Sequence, residues 1–143
     1  MTKRLVRRGG GPDFDYSQDH CFVKLASNET AGELCLVEDE LKPRFKLGRH
    51  HHKRMTEVFY VLEGEIVFTF DDETITLLPG DTLTVPPNIW HAAECDGGGR
   101  MLTIFKNGRF DEYLARLAEM TDEQFQDAAL MKSISEAFDI YEE

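Results

Sequence analysis

The segment 48-GRHHHKRMTEVFYVLEG-64 sets three consecutive imidazoles, His50, His51 and His52, a few residues ahead of a carboxylate, Glu57. Neutral imidazole nitrogens and a carboxylate oxygen are ligand types that hold first-row transition metals. Successive side chains of a strand alternate between faces, so His50 and His52 point one way and His51 the other. Two imidazoles on an inward face can share an ion, and 53-KRMT-56 is long enough to turn the chain and return Glu57 beside them. A fourth ligand has to come from elsewhere in the fold. His91, within 80-GDTLTVPPNIWHAAEC-95, is the only credible imidazole, because His20 has no partner at ligand spacing and reads as structural or exposed.

Two blander explanations compete for the histidine run. An expression remnant is disfavoured, since the run is internal, only three long, and in register with Glu57 and Gly64. A solvated basic turn, suggested by Lys53 and Arg54, leaves the His91 segment without a cause. His51, facing away, is expected to pack or to lie at the surface. Trp90 should face opposite to His91 and serve barrel packing. Cys95 shares the parity of His91 and is expected to be a small buried residue.

The elements that must position these groups are short. From about Phe22 to Phe105 the chain breaks into runs rich in Val, Ile, Phe, Thr and Leu, separated by turn residues, the pattern of an antiparallel sandwich or barrel. Strands are expected over 21–26, 33–38, 42–48, 57–64, 65–70, 74–79, 82–87, 90–95 and 101–106. Asp71-Asp72 marks a tight hairpin, and 96-DGGG-99 reads as a further turn. After Lys106 the period changes. Phe110, Leu114 and Leu117 recur at helical spacing, and 121-TDEQ-124 is a capping box announcing a second helix with the stripe Phe125, Ala129, Leu130, Ile134 and Phe138. That stripe is expected to pack on the barrel or on a partner subunit.

Composition narrows the classes of function. At 143 residues the chain is sized for one domain, expected as a barrel with a flexible basic arm over 1–106 and a helical extension of the same domain over 107–143. A net charge of −11 opposes binding to nucleic acid, and no apolar run approaches a membrane span. The first residues lack the apolar segment of a secretory signal, so a cytoplasmic location is expected. Cys21, Cys35 and Cys95 have no CxxC spacing and read as free thiols.

The ordered set His50, His52, Glu57, Gly64, then Gly80, Pro86 and His91 resembles the two consecutive motifs of the cupin superfamily. The stretches 57-EVFYVLEGEIVF-68, 79-PGDTLTVP-86 and 90-WHA-92 are similar to the barrel strands of small quercetin dioxygenase-like cupins. Departures fall at Arg44, where the first motif's leading glycine would lie, and at Asn88 and Cys95 in the second motif; none is a ligand position. Asn88 can itself occupy a left-handed turn. The resemblance implies an all-β cupin double-stranded β-helix, a jelly-roll barrel with a short C-terminal helical extension. It also implies one metal held by His50, His52, Glu57 and His91.

Three imidazoles and one carboxylate suit Mn, Fe, Co, Ni, Cu or Zn without choosing among them. A divalent ion beside one glutamate keeps a local charge of about +1, which favours an enolate, phenolate or carboxylate oxygen as an additional ligand. Phe59 and Val61 match the parity of Glu57 and are expected to line an apolar pocket, with Phe45, Phe68, Phe70 and Met101 as further lining candidates. The expected function is therefore a metal-dependent oxidoreductase, a dioxygenase on a small enolisable or phenolic compound; the resemblance to quercetin dioxygenases further implies that Glu57 can shift from ligand to general base. The alternatives are an isomerase or lyase using the metal as Lewis acid, and a non-catalytic metal-dependent ligand-binding protein. Open sheet edges and apolar helical faces lead us to expect a homodimer.

Overall fold

Alternation of apolar and polar residues folds most of the chain into strands, and a computed structural model describes residues 2–143. The strands are β1 (Asp13–Asp15), β2 (Asp19–Leu25), β3 (Leu34–Leu41), β4 (Phe45–His51), β5 (Thr56–Glu63), β6 (Ile66–Thr69), β7 (Thr74–Leu77), β8 (Thr82–Val85), β9 (His91–Cys95), β10 (Gly99–Lys106) and β11 (Tyr141–Glu142). They form two antiparallel sheets, ordered β1-β2-β3-β10-β5-β8 and β11-β4-β9-β6-β7. Consecutive strands repeatedly cross from one sheet to the other, as in a jelly roll. Buried side chains of both sheets meet between them: Phe59 and Val61 from β5, Ile66 and Phe68 from β6, Val85 from β8 and Ala93 from β9 form one core cluster.

The expected strands are present with shifted ends, and two short strands were not anticipated. β1 is a three-residue pairing onto β2, and β11 is a two-residue pairing onto β4. Segments this brief carry too few residues to show a period. The Asp71-Asp72 turn closes by a backbone bond from Phe70 N to Glu73 O, 2.8 Å.

The extension holds α1 (Phe110–Ala118), α2 (Asp122–Phe125) and α3 (Ala128–Ala137). Thr121 caps α2 through the reciprocal bonds of the capping box. The expected single second helix is split, because Asp127 takes an extended backbone and its carboxylate accepts from Leu130 N, starting α3 afresh. The stripe divides accordingly: Ile134 is buried and Leu130 and Phe138 half-buried, whereas Phe125 and Ala129 are exposed. α1 lays Leu114 against Cys21, Cys35, Val37, Met55 and Phe105, a second apolar cluster under the barrel. No helix among the described residues is long and apolar enough to cross a membrane.

Candidate metal centre

β4 carries the first imidazole into the barrel, and a register irregularity between Leu47 and His50 brings His50 opposite His91 on β9. His52 follows just past the end of β4, and Glu57 lies near the start of β5 on the other sheet. His50, His52, Glu57 and His91 are all buried, and each offers one ligand atom within 4.8 Å of those of the others. Glu57 Oε1 lies 2.8 Å from His52 Nε2 and 3.1 Å from His91 Nε2.

The hydrogen bonds on the far side of each ring show what these atoms are prepared to hold. Each Nδ1 faces a backbone carbonyl: His50 that of Gly48 at 2.7 Å, His52 that of Asp139 at 2.7 Å, and His91 that of Ile89 at 2.8 Å. A carbonyl only accepts, so each Nδ1 donates, and the Nε2 atoms of His52 and His91 are left facing the Glu57 carboxylate. Lone pairs converging on a carboxylate repel unless a proton or a cation lies between them. His52 Nε2 is accordingly a buried nitrogen without a hydrogen-bond partner, despite its distance from Glu57. These residues fit a divalent metal ion, and pinning of the non-ligating nitrogen is how proteins orient metal-binding histidines.

The titration behaviour follows from the same geometry. Burial pushes His50 down to about 4, with repulsion from His91 in the same direction and Gly48 and Glu57 opposing. Burial also disfavours the charged form of His52, but contact with Glu57 outweighs it and raises the ring above its ordinary value. For Glu57, burial would raise the carboxyl; His52 and His91 overcome it and hold it down at about 2. At neutral pH the centre therefore contains a carboxylate and at least one neutral imidazole.

His50, His52 and Glu57 open onto a cavity of about 320 Å³ between the sheets. Phe45, Phe59 and Met101 line it, as do Tyr113, Leu114 and Leu117 of α1 and Ile140 near the C-terminus. Val61 and Phe68 sit instead in the core, fully buried, and Phe70 packs against that core. Alternation along a strand separates inside from outside but says nothing of depth, and these three lie beyond the cavity. Asp19 and Asp39 also line it, with Cys21 Sγ donating to both carboxylates at 3.5 Å.

The remaining expected residues fall outside the centre. His51 turns outward, its ring 4.4 Å from Trp90 and 5.4 Å from Tyr141, and Arg49 lies over Trp90. His20 pairs with Asp13 and stacks on Phe22. Cys95 is buried in the core. Arg44 and Asn88 both adopt left-handed backbones, with φ of 66° and 67°, and Asn88 N donates to the carbonyl of His52 at 2.6 Å. Asp139 was missed altogether, because a lone aspartate in an acidic tail carries no spacing that would mark it.

A cupin domain family model (Cupin_2) matches residues 37–105. The quercetin 2,3-dioxygenase of Bacillus subtilis (strain 168) is 32% identical over 98 residues, which is 68% of this chain and 29% of that protein. This chain thus spans under a third of that relative's length. Among solved structures, KdgF from Halomonas sp. superposes with a TM-score of 0.67 at 18% identity, covering 78% of this chain and 99% of that one. The polyketide cyclase RemF from Streptomyces resistomycificus gives 0.64 at 23% identity, covering 76% and 82%. Those structural likenesses speak to the fold. The Cupin_2 match and the 32% identical relative, together with the ordered histidine and glycine motifs and the two-sheet barrel, lead to one conclusion: the chain belongs to the cupin superfamily.

Proposed function

We propose that this protein is a metal-dependent oxidoreductase, a dioxygenase acting on a small enolisable or phenolic compound. The observation that carries the reading is the convergence of three imidazoles and the Glu57 carboxylate, with His50, His52 and Glu57 at the wall of a cavity lined by Phe45, Phe59 and Met101. A divalent transition metal (Mn, Fe, Co, Ni, Cu or Zn) held by His50, His52, Glu57 and His91 supplies Lewis acidity there and, when redox-active, oxygen chemistry. The similarity to a quercetin 2,3-dioxygenase supports the oxygenase reading over an isomerase, a lyase or a non-catalytic binding protein.

The chain's own groups have definite tasks in this scheme. Phe45, Phe59 and Met101 exclude water and seat a flat apolar body. Glu57, ionised at neutral pH, accepts the proton of an enol or phenol that enters the site. Residues 1–106 and 107–143 act as one domain, since α1 and the C-terminal segment supply part of the cavity wall. The three free cysteines favour the reducing cytoplasm. Exposed Leu47, Tyr60, Leu78 and Ile89 and the unpaired edges of β7 and β8 support a homodimer, which light scattering reads directly.

Elemental analysis of untagged protein and of a His52→Ala variant tests the centre: about one metal per chain is expected in the first and a large loss in the second. Oxygen-electrode assays with flavonols and 1,3-diketones test the chemistry. Turnover that continues unchanged without oxygen would point to isomerase or lyase action; tight binding with no product would point to a binding protein.

A further inference from the structure

Two of the four groups in the centre, His52 and Glu57, are joined by the turn 53–56, and that turn does not hold itself. Its backbone amides point at one side chain from the far end of the chain: Asp139 Oδ1 accepts from Lys53 N at 2.8 Å, and Oδ2 accepts from Arg54 N at 2.9 Å and Met55 N at 2.8 Å. The same residue's carbonyl accepts from His52 Nδ1. Asp139 is only 2% exposed, so neither set of bonds is shared with bulk water.

Asp139 is itself held in place from both sides. It ends α3 in a left-handed conformation, φ 65°, with its amide bonded to Glu136 O and that of Ile140 to Ser135 O. Beyond it, β11 pairs with β4, setting Tyr141 against His51 and Glu142 against His50. The C-terminal segment is thereby clamped to the strand that carries the imidazoles, with Asp139 as the bolt.

We propose that Asp139 is a positioning residue for the metal centre: its carbonyl fixes the ring orientation and tautomer of His52, and its carboxylate sets the turn that spaces His52 from Glu57. The proposal rests on reading these groups as a metal site. Partners of this kind commonly change metal affinity by about 10- to 100-fold when removed. The C-terminal extension is then part of the site rather than an appendage to the barrel.

The test uses full-length protein with Zn²⁺ alone as the probe, titrated against a chromophoric chelator, and amide hydrogen exchange followed by ¹⁵N NMR of the metal-free protein. Asp139→Gly keeps the left-handed backbone but deletes the carboxylate, and Asp139→Asn keeps one acceptor oxygen. Zn²⁺ affinity is expected to fall about 10- to 100-fold in the first and by less in the second. The backbone carbonyl survives in both variants, so the His52 ring is expected to keep its Nδ1–H form, whereas the amide protons of Lys53, Arg54 and Met55 are expected to exchange with solvent at least about tenfold faster in Asp139→Gly. If that variant does not fold, Asp139→Asn decides by the same two readouts. Leu77→Ala, a core change away from the centre, separates positioning from general loosening: it should lower thermal stability while leaving Zn²⁺ affinity near wild type. Wild-type affinity and unchanged exchange of the three amides in a folded Asp139 variant would overturn the proposal. Equal Zn²⁺ binding by wild type and His52→Ala would sink the metal reading instead, and the amide-exchange measurement would still judge Asp139.

Discussion

His50 and His91 are direct register partners on neighbouring antiparallel strands, and their rings lie 4.3 Å apart. They are separated by 40 intervening residues in the chain yet share one rung of the sheet. The irregularity in β4 just before His50 makes this pairing possible, since a one-residue slip would send an imidazole to the opposite face. The centre is thus built on a backbone ladder, which makes its geometry rigid and its chemistry dependent on proton occupancy.

Protons and metal compete for the same nitrogens. His52 is raised above its ordinary value, so the metal-free ring holds its proton further into neutral pH, whereas His50, pushed down to about 4, is already neutral there. Metal affinity should therefore rise with pH through the raised His52 value and then flatten. Titration calorimetry in two buffers of different ionisation enthalpy should show proton release per bound metal that diminishes as pH rises past the raised His52 value. Release that is independent of pH would contradict this assignment.

Asp39 provides a stability switch of defined sign. Burial, then the facing Asp19 carboxylate, raises its carboxyl well above the ordinary value, against the opposing hydrogen bond from Cys21; neighbouring Glu40 adds to the rise. A folded-state value above the unfolded one favours the folded protein at low pH, and that advantage is lost as pH rises through the folded value. Asp39→Asn mimics the protonated form. Its thermal midpoint should exceed wild type at pH 8, and the gap should close toward about pH 4.

Gly64, between β5 and β6, has φ of 86°, and an added Cβ would lie 2.6 Å from the carbonyl oxygen of Gly98. Both the left-handed backbone and the close approach exclude a side chain. Gly64→Ala should cost about 2 kcal/mol or more in a urea titration with little change in slope. A loss within experimental error would show that the turn can relax.

The cysteines should be inert in the folded protein. Cys21, Cys35 and Cys95 are all buried; burial, with nearby aspartates, raises the Cys21 thiol far out of the neutral range and Cys35 to about 12, and burial likewise raises Cys95. Because the thiolate is the reactive species, a disulfide reagent at pH 8 should label none of them until denaturant is added. Stoichiometric labelling of native protein would show that the barrel opens.

Local physics made much of this legible in advance. The two-residue period of a strand placed His50 and His52 inward and His51 outward, and the structure shows His51 against Trp90 on the outer face. The capping box at Thr121 is a short-range pattern and formed as written. What required the tertiary structure was non-local or a matter of depth. Period alone could not separate Phe45, Phe59 and Met101, which reach the cavity, from Val61, Phe68 and Phe70, which fill the core. Nor could it foresee Asp139, whose bond to His52 spans 87 positions. Side-chain direction is decided by the local backbone and so can be read from a few neighbouring letters; a contact closed by the whole fold leaves no local trace.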